Sequence, residues 1–308
     1  MSFASWELGK QLLLAFPLML MPLWLAVHTG LAPLRRFARR LHGLDLKQDL
    51  APLGIDLRYN ELRPVGQAFD ALLQRLRLRQ ERERAFVHEA AHELRTPLAV
   101  VATQAHALVQ ATDPASRAVA AAALQQAIAR SAHLSRQLLD LASLDNAQPA
   151  APTVLDLAHY CAAQLAEHAA LARDRGISLA LDAPEQMPVR IDATALHSVV
   201  QNLLDNALRY GARGGRIEVR LRPSPDGPRL TVADDGPGIA PAGRPLVFER
   251  FWRGTGHDLP GSGLGLAIVA RAAARLGGRV VVGDGLARAG GCGVRFELHL
   301  PTGTLGVP

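Results

Sequence analysis

Residues 86–98 read Phe-Val-His-Glu-Ala-Ala-His-Glu-Leu-Arg-Thr-Pro-Leu. On a helix, the spacing of four residues places His92 and Thr96 on one face. A neutral imidazole can attack phosphorus once its other nitrogen shares its proton, and the adjacent carboxylate of Glu93 is suited to accept that hydrogen bond. The stretch therefore predicts a nucleophilic histidine on a helix surface, and Pro97 is expected to bend the helix just past it.

The surrounding sequence has helical periodicity on both sides of a turn. Apolar residues step by three or four along 81–110, residues 112–114 form a turn signal, and a second periodic stretch covers 115–146. Two such helices cannot bury their apolar seams alone. We therefore expect residues 85–148 to form a helical hairpin that completes a four-helix bundle with a second chain, which makes the protein a homodimer.

The amino-terminal part carries an uncharged apolar run at residues 12–27, which 28–30 extend toward membrane-spanning length. Four arginines follow it at positions 35, 36, 39 and 40. This order argues against a signal peptide and places the later residues in the cytoplasm. We predict a membrane helix at 12–30 behind a short extracytoplasmic tail at 1–11, with the lipid bilayer as a partner.

Two amphipathic stretches, 34–50 and 61–84, flank the breakers Pro52 and Gly54. Helix, connector and helix directly after a membrane span resemble the HAMP signalling linker, which would cover residues 31–84. An ordinary amphipathic juxtamembrane hairpin is the alternative interpretation.

From residue 153 the sequence pattern changes from long helical periodicity to short strand-like runs alternating with helical patterns. Strand-like runs occur at 177–181, 189–191, 217–221, 230–232, 279–282 and 294–300, and helical patterns occur at 155–173, 194–209 and 264–276. Such mixing predicts an α/β sandwich over 153–303, followed by a tail at 304–308.

Asn202, Asn206 and Arg209 share one face of a predicted helix, and Tyr210 follows them. Amide oxygens are suitable ligands for Mg²⁺, which usually keeps several waters and bridges phosphates, and Arg209 can neutralise phosphate charge. Taken alone, such a face is more often plain polar surface.

Two glycine-containing segments follow. Asp234 leads into Gly236 and Gly238, where a fixed carboxylate could accept the amino hydrogens of adenine, although an ordinary hairpin turn has the same signature. The loop Gly261-Ser-Gly263-Leu264-Gly265 opens a helix and could offer backbone N–H groups to phosphates. It is neither a Walker loop nor a dinucleotide fingerprint.

Between the glycine segments, residues 247–253 place three aromatic residues among charges in an otherwise loop-like stretch. Arg250 or Arg253 could reach a terminal phosphate, and the sequence does not choose between them.

Five segments carry a family resemblance, and they lie in chain order at 86–98, 202–210, 234–238, 247–253 and 261–265. Together and in this order, they resemble the sensor histidine kinases of two-component systems. The resemblance implies a Bergerat-type ATP-binding domain, with ATP and Mg²⁺ as cofactors. It further implies that His92 is the phospho-acceptor, Glu93 the base and Thr96 the residue that positions water for dephosphorylation of the partner. Asp234 would bind adenine, and Asn206 would be the direct magnesium ligand with Asn202 beside it. Residues 247–253 would form the mobile lid over ATP.

The resemblance also implies transfer from His92 to an aspartate of a response regulator, and residence in a bacterial inner membrane. One feature departs from the pattern, because a typical member has two spanning helices around an outer domain and this sequence predicts one. Two alternatives stay open, namely a chaperone- or mismatch-repair-like ATPase of the same nucleotide fold, and a non-catalytic membrane scaffold or pseudokinase.

Composition is consistent with these assignments. The chain has 308 residues, 49% of them hydrophobic and 20% charged, which excludes wholesale disorder. Its two cysteines, Cys161 and Cys292, have no paired spacing, which excludes a disulfide framework and a cysteine-based zinc site. The net charge is +6, but no basic stripe with interleaved aromatics occurs, so we expect no nucleic-acid partner.

Overall fold

The computed structural model describes residues 20–22, 24, 25, 27, 28, 35, 63–146, 151–254, 262–288 and 291–304. Most of the predicted membrane helix and HAMP-like linker, together with Gly261, lies outside these residues. Within the described part, no helix is both long and apolar enough to cross a membrane. The chain divides into two units, residues 1–89 and 90–308, and all contacts discussed below lie within the second.

Helix α1 spans Arg63–Gln110 without interruption and contains Pro97. The sequence patterns at 61–84 and 81–110 therefore belong to one helix. The helix continues through both patterns because no glycine or proline occurs between Gly66 and Pro97 to break it.

Helix α2 spans Pro114–Asn146. Asp113 caps its start, since the carboxylate accepts hydrogen bonds from the backbone N–H groups of Ala115 (3.0 Å) and Ser116 (2.9 Å). The hydrogen bonds from Ser116 lower the pKa of Asp113 below its usual value. Along α2, the predicted seam residues Ala127, Leu134, Leu138 and Leu141 are buried.

The α/β domain begins with β1 (Thr153–Asp156), which pairs antiparallel with β3 (Pro188–Ile191). Sequence analysis missed β1, because the strand has only four residues and two exposed side chains, and assigned its end to the following helix. That helix, α3 (Leu157–Asp174), is capped by Asp156, the last residue of β1.

The main sheet has five strands in the order β2-β4-β5-β7-β6. Its strands are β2 (Ser178–Asp182), β4 (Arg216–Arg222), β5 (Arg229–Asp234), β6 (Arg279–Arg288) and β7 (Gly291–His299). β2 and β4 are parallel and the other neighbouring pairs are antiparallel. Helical hairpin followed by α/β domain is the order that the sequence predicted, so the coarse fold class is confirmed.

The core of the domain lies between this sheet and α3, α4 (Ala193–Tyr210) and α5 (Gly265–Arg275). The alternation of side chains along β4 shows how the sheet contributes to this core. Ile217, Val219 and Leu221 are buried, and the intervening Glu218 and Arg220 form an ion pair of 2.7 Å on the other face.

Asp192 fixes the relative position of α4 and α5. Its Oδ1 caps α4 by accepting from the N–H groups of Thr194 and Ala195, and its Oδ2 accepts from Arg275 Nε of α5 at 2.9 Å. Both side chains of this ion pair are largely buried, at 5% and 11% exposure, so the two helices that carry the site are tied together below it.

Candidate functional site

His92 and Thr96 are exposed on α1, and Glu93 is half-buried between them. Glu93 and Thr96 line a cavity of about 1240 Å³, which we call the Thr96 cavity. The remaining lining residues come from α1, α2 and the α/β domain: Pro97, Val100, Gln126, Ala127, Ala129, Arg130, His133, Leu134, Leu171, Arg175, Arg209, Tyr210, Gly211, Arg213, Arg253 and Ser262. The face predicted to carry the nucleophile therefore opposes the α/β domain of its own chain.

A second cavity, of about 270 Å³, lies beside helix α4, and we call it the Asn206 cavity. It brings together nine residues predicted from sequence: Asn202, Asn206, Arg209, Tyr210, Asp234, Gly238, Arg253, Gly263 and Gly265. They come from one helix, two glycine segments and the lid, which are separated by up to 63 residues in sequence.

Within this cavity, Asn202 and Asn206 differ in environment. Asn206 is half-buried, whereas Asn202 is 7% exposed and its side-chain N–H donates to the backbone carbonyl of Ser198 at 2.8 Å. Asn202 Oδ1 accepts a hydrogen bond of 3.4 Å from Gln137 Nε2. The oxygen of Asn202 is thus engaged by helix α2, and Asn206 is the better placed of the two to face a ligand.

Asp234 is buried at the end of β5 with 3% exposure. Its Oδ1 accepts from the backbone N–H groups of Gly236 (2.9 Å) and Val294 (3.2 Å). No described residue donates to Oδ2, which leaves that oxygen available to a ligand. Burial raises the pKa of Asp234 above its usual value. Asp235 does not line the cavity, and its Oδ2 accepts instead from the N–H of Arg216.

The glycines around Asp234 are required by close backbone approaches. A Cβ on Gly236 would come within 2.6 Å of the carbonyl oxygen of Tyr210, although Gly236 does not itself line the cavity. Gly238 has a φ of 77°, and a Cβ there would approach the carbonyl oxygen of Cys292 to 2.5 Å.

The second glycine segment is held against the lid. Gly263 has a φ of 68°, and its carbonyl accepts from the N–H of Phe251 at 3.0 Å. Phe251 itself adopts a φ of 59°, which is uncommon for a bulky residue. Leu264 is fully buried in the domain and does not reach the cavity, whereas Gly265 opens α5 beside Asn202.

The two arginines of the lid lie in different environments. Arg253 lines both cavities. Arg250 lines neither, and its Nη2 lies 2.5 Å from Oδ2 of Asp145 near the end of α2. Asp145 also pairs with Arg271 of α5 at 2.9 Å, so Arg250 links the lid to the hairpin.

The hairpin contributes two residues to the Asn206 cavity that were not predicted from sequence. His133 and Gln137 both come from α2 and lie on one face, one turn apart. Gln137 is buried between Asn202 and Ser262, whose hydroxyl donates to Gln137 Oε1 at 2.6 Å. No local signal marks them, since Gln137 and Asn202 are 65 residues apart in the chain.

The two cavities share a wall of four residues, His133, Arg209, Tyr210 and Arg253. The Thr96 cavity is also lined by Arg130, Arg175 and Arg213, and among its described lining residues only Glu93 is acidic. This excess of positive charge favours a polyanion at the junction of the cavities.

Two family models match the chain. Residues 82–147 match the His Kinase A (phospho-acceptor) domain. Residues 191–304 match the histidine kinase-, DNA gyrase B- and HSP90-like ATPase domain. The chain belongs to the sensor histidine kinases of two-component systems. The first match contains His92 and the second contains the residues of helix α4 and both glycine segments.

Curated relatives agree with this family. The chain is 38% identical over 274 residues to the swarming motility regulation sensor protein RssA of Serratia marcescens, covering 88% of this chain and 58% of RssA. It is 35% identical over 292 residues to the sensor protein kinase PmrB of Pseudomonas aeruginosa, covering 94% of this chain and 60% of PmrB. The chain thus spans about three-fifths of the length of these sensor histidine kinases.

A solved structure of the histidine kinase ThkA in complex with the response regulator protein TrrA shares the fold. Its TM-score is 0.60 and its sequence identity is 19%, over 73% of this chain and 64% of ThkA.

Proposed function

We propose that this protein is a membrane-bound sensor histidine kinase that phosphorylates its own His92 with ATP and passes the phosphoryl group to an aspartate of a response regulator. One observation carries the proposal. The cavity that holds the predicted nucleotide residues and the cavity lined by Glu93 and Thr96 share the wall His133, Arg209, Tyr210 and Arg253. A terminal phosphate bound at this wall would lie between the nucleotide site and the helix face of His92.

In the proposed reaction, a ring nitrogen of His92 attacks the γ-phosphorus of ATP. The new N–P bond forms as the bond from phosphorus to the bridging oxygen breaks, and ADP leaves. The proton of the other ring nitrogen passes to Glu93, the adjacent carboxylate. Catalysis comes mainly from positioning and from positive charge around the phosphoryl group. Thr96, one turn beyond His92, would position water for a second activity, the dephosphorylation of the partner.

ATP would be recognised at three points. Oδ2 of Asp234 accepts the adenine amino group, because the backbone donors occupy only Oδ1. Arg209 and Arg253 face the phosphates from α4 and the lid. The backbone at Gly263 and Gly265 completes the cradle, and Gly261 belongs to the same predicted loop.

The site also fits Mg²⁺ of the kind that accompanies nucleotides. Among the described residues, no group of three or more His, Cys, Asp or Glu could hold a metal. An ion here would therefore depend on phosphate oxygens, water and the amide of Asn206, with Asn202 beside it, and Mg²⁺ tolerates such a shell. When bound, Mg²⁺ neutralises charge on the β- and γ-phosphates.

The wider organisation of the protein follows the sequence patterns. Residues 12–30 would anchor the chain in a bacterial inner membrane with 1–11 outside, and 31–84 would form the HAMP-like linker. Residues 85–148 would form the dimerising hairpin and 153–303 the catalytic domain, both cytoplasmic. The complex of ThkA with TrrA supports a response regulator as partner.

The test incubates the full chain in detergent with Mg²⁺ and ATP labelled at the γ-phosphate. A His92→Gln variant and a His88→Gln variant, which changes the other histidine of the motif, serve as a matched pair. We expect acid-labile, base-stable label on the parent and on His88→Gln, and none on His92→Gln. Unlabelled parent protein that still binds ATP would contradict autophosphorylation and favour an ATPase or scaffold role.

A further inference from the structure

His133 is a histidine of helix α2 that the proposed chemistry does not yet use. It is half-buried and lines both the Asn206 cavity and the Thr96 cavity. Because α2 belongs to the helical hairpin, His133 brings a hairpin side chain to a site otherwise built largely by the α/β domain.

The imidazole of His133 lacks a hydrogen-bond partner in the part of the chain that the structure describes, and its Nε2 is shielded from solvent. A buried nitrogen left unpaired costs free energy, so most such groups in native proteins have a partner. By contrast, buried His168 forms a hydrogen bond of 2.8 Å with the carbonyl of Gln164. Nδ1 also has no partner among the described residues but is not shielded in this way, so it is the ring nitrogen of His133 that a ligand in the two cavities can reach.

The charges around His133 indicate the class of ligand. Arg209 and Arg253 share the wall with it, and Arg130 and Arg175 line the adjoining cavity. Burial, followed by the positive charges of Arg209 and Arg136, lowers the pKa of His133, against the opposing effect of Asp205 and Asp140. The imidazole is therefore neutral near neutral pH and carries one N–H to donate. A donor among arginines suits a phosphate.

We propose that His133 binds the terminal phosphate of ATP by donating a ring N–H to it, as a third contact beside Arg209 and Arg253. This inference rests on the proposed function, because it takes the Asn206 cavity to be the nucleotide site. It implies that helix α2 distinguishes ATP from ADP, since only ATP has a phosphate at the wall. The hairpin would thus report which nucleotide the catalytic domain holds.

The experiment measures affinity rather than phosphotransfer, with the full chain in detergent and Mg²⁺. Isothermal titration compares ADP with a non-hydrolysable ATP analogue for the parent, His133→Leu and His133→Gln. We expect His133→Leu to weaken binding of the analogue about tenfold, the loss of one hydrogen bond to a charged group, and to change ADP binding less than about twofold. His133→Gln retains an N–H donor and should recover most of the loss.

His159→Leu is the matched control, since His159 is an exposed histidine of α3 that lines neither cavity. Equal weakening of both nucleotides by His133→Leu, or no weakening of either, would overturn the proposal. Retained ADP binding shows that the variant is folded. The same titrations on a His92→Gln background measure nucleotide binding when His92 cannot be phosphorylated. Failure to label the parent would refute the kinase proposal alone, whereas failure of these titrations to distinguish ATP from ADP would refute the role of His133 alone.

Discussion

The hydroxyl of Ser262 donates a hydrogen bond of 2.6 Å to Oε1 of Gln137, which joins the glycine-rich loop of the catalytic domain to helix α2 of the hairpin. The same Gln137 side chain donates to Asn202 at 3.4 Å. One buried glutamine therefore forms hydrogen bonds with both the loop at Ser262 and helix α4 at Asn202. The docking of the catalytic domain onto the hairpin is thus coupled to the nucleotide site.

Replacement of Gln137 by leucine should weaken this docking. Leucine has a similar size but leaves the Ser262 hydroxyl and the Asn202 oxygen without their partner, which costs about 1–3 kcal/mol for buried groups. We expect faster amide hydrogen exchange in residues 262–266 and in the middle of α2, measured by mass spectrometry on the full chain. Gln125→Leu changes an exposed glutamine of the same helix and should leave exchange unaltered. Unchanged exchange in Gln137→Leu would refute the coupling.

The substitution Asp234→Asn should alter base selectivity while preserving the fold. The new side chain would keep a carbonyl oxygen for the N–H groups of Gly236 and Val294, but an N–H₂ group would replace Oδ2. That group repels the adenine amino group and can donate to the keto oxygen of guanine. We expect ATP affinity to fall about 10- to 100-fold and the preference for ATP over GTP to shrink, as measured by titration with both nucleotides.

The matched control for Asp234→Asn is Asp235→Asn, since Asp235 points to the N–H of Arg216 and does not line the cavity. Burial raises the pKa of Asp234, so its ionised form is disfavoured in the folded protein. A neutral asparagine should therefore keep or increase the free energy of unfolding. If Asp235→Asn changed base selectivity more than Asp234→Asn, the assignment of the adenine residue would be wrong.

These residues also show what the sequence can and cannot reveal. Asn202, Asn206 and Arg209 were grouped correctly on one helix face, because that grouping depends only on helical periodicity. His133 and Gln137 were missed, because their role depends on how the hairpin packs against a domain distant in sequence. Arg250 and Arg253 are three residues apart in a loop without periodicity. The structure distinguishes them, because Arg253 lines both cavities whereas Arg250 pairs with Asp145.

The stability of the protein should depend on pH through His168. Its Nδ1 bonds the carbonyl of Gln164, and its Nε2 lies 3.4 Å from both Asp205 Oδ1 and Gln201 Nε2. Neutral His168 can accept from Gln201, whereas protonated His168 donates to Asp205. The hydrogen bond to Asp205 raises the pKa of His168 against the opposing effect of burial. A raised pKa means that the stabilisation is complete below about pH 6.5 and is lost as pH rises through the folded-state pKa.

Asp205→Asn tests this dependence, because it removes the main cause of the raised pKa. Chemical unfolding at pH 6 and pH 8 should show that the difference in free energy of unfolding between the parent and Asp205→Asn is larger at pH 6. NMR titration should find a lower pKa for His168 in the variant. A difference that grows toward pH 8 would have the wrong sign for this ion pair.

Dimerisation should use the apolar residues that a single chain leaves exposed on the hairpin. Leu98 and Val109 of α1 are 57% and 78% exposed, and Ile128 and Leu139 of α2 are 50% and 70% exposed. Each pair is eleven residues apart, about three helical turns, so each forms one stripe. The seam residues Leu134, Leu138 and Leu141 are already buried within the chain, which leaves these stripes as the surface for a second copy.

An aspartate on this surface should separate the subunits. We expect Ile128→Asp to convert a dimer to a monomer in light scattering coupled to size exclusion, because a bundle core cannot hold an unpaired carboxylate. Val119→Asp is the matched control, since Val119 is 71% exposed but lies nine residues before Ile128. Nine residues are two and a half helical turns, which places Val119 on the opposite face of α2. Dissociation by Val119→Asp, with a dimer retained in Ile128→Asp, would place the interface on the other side of α2.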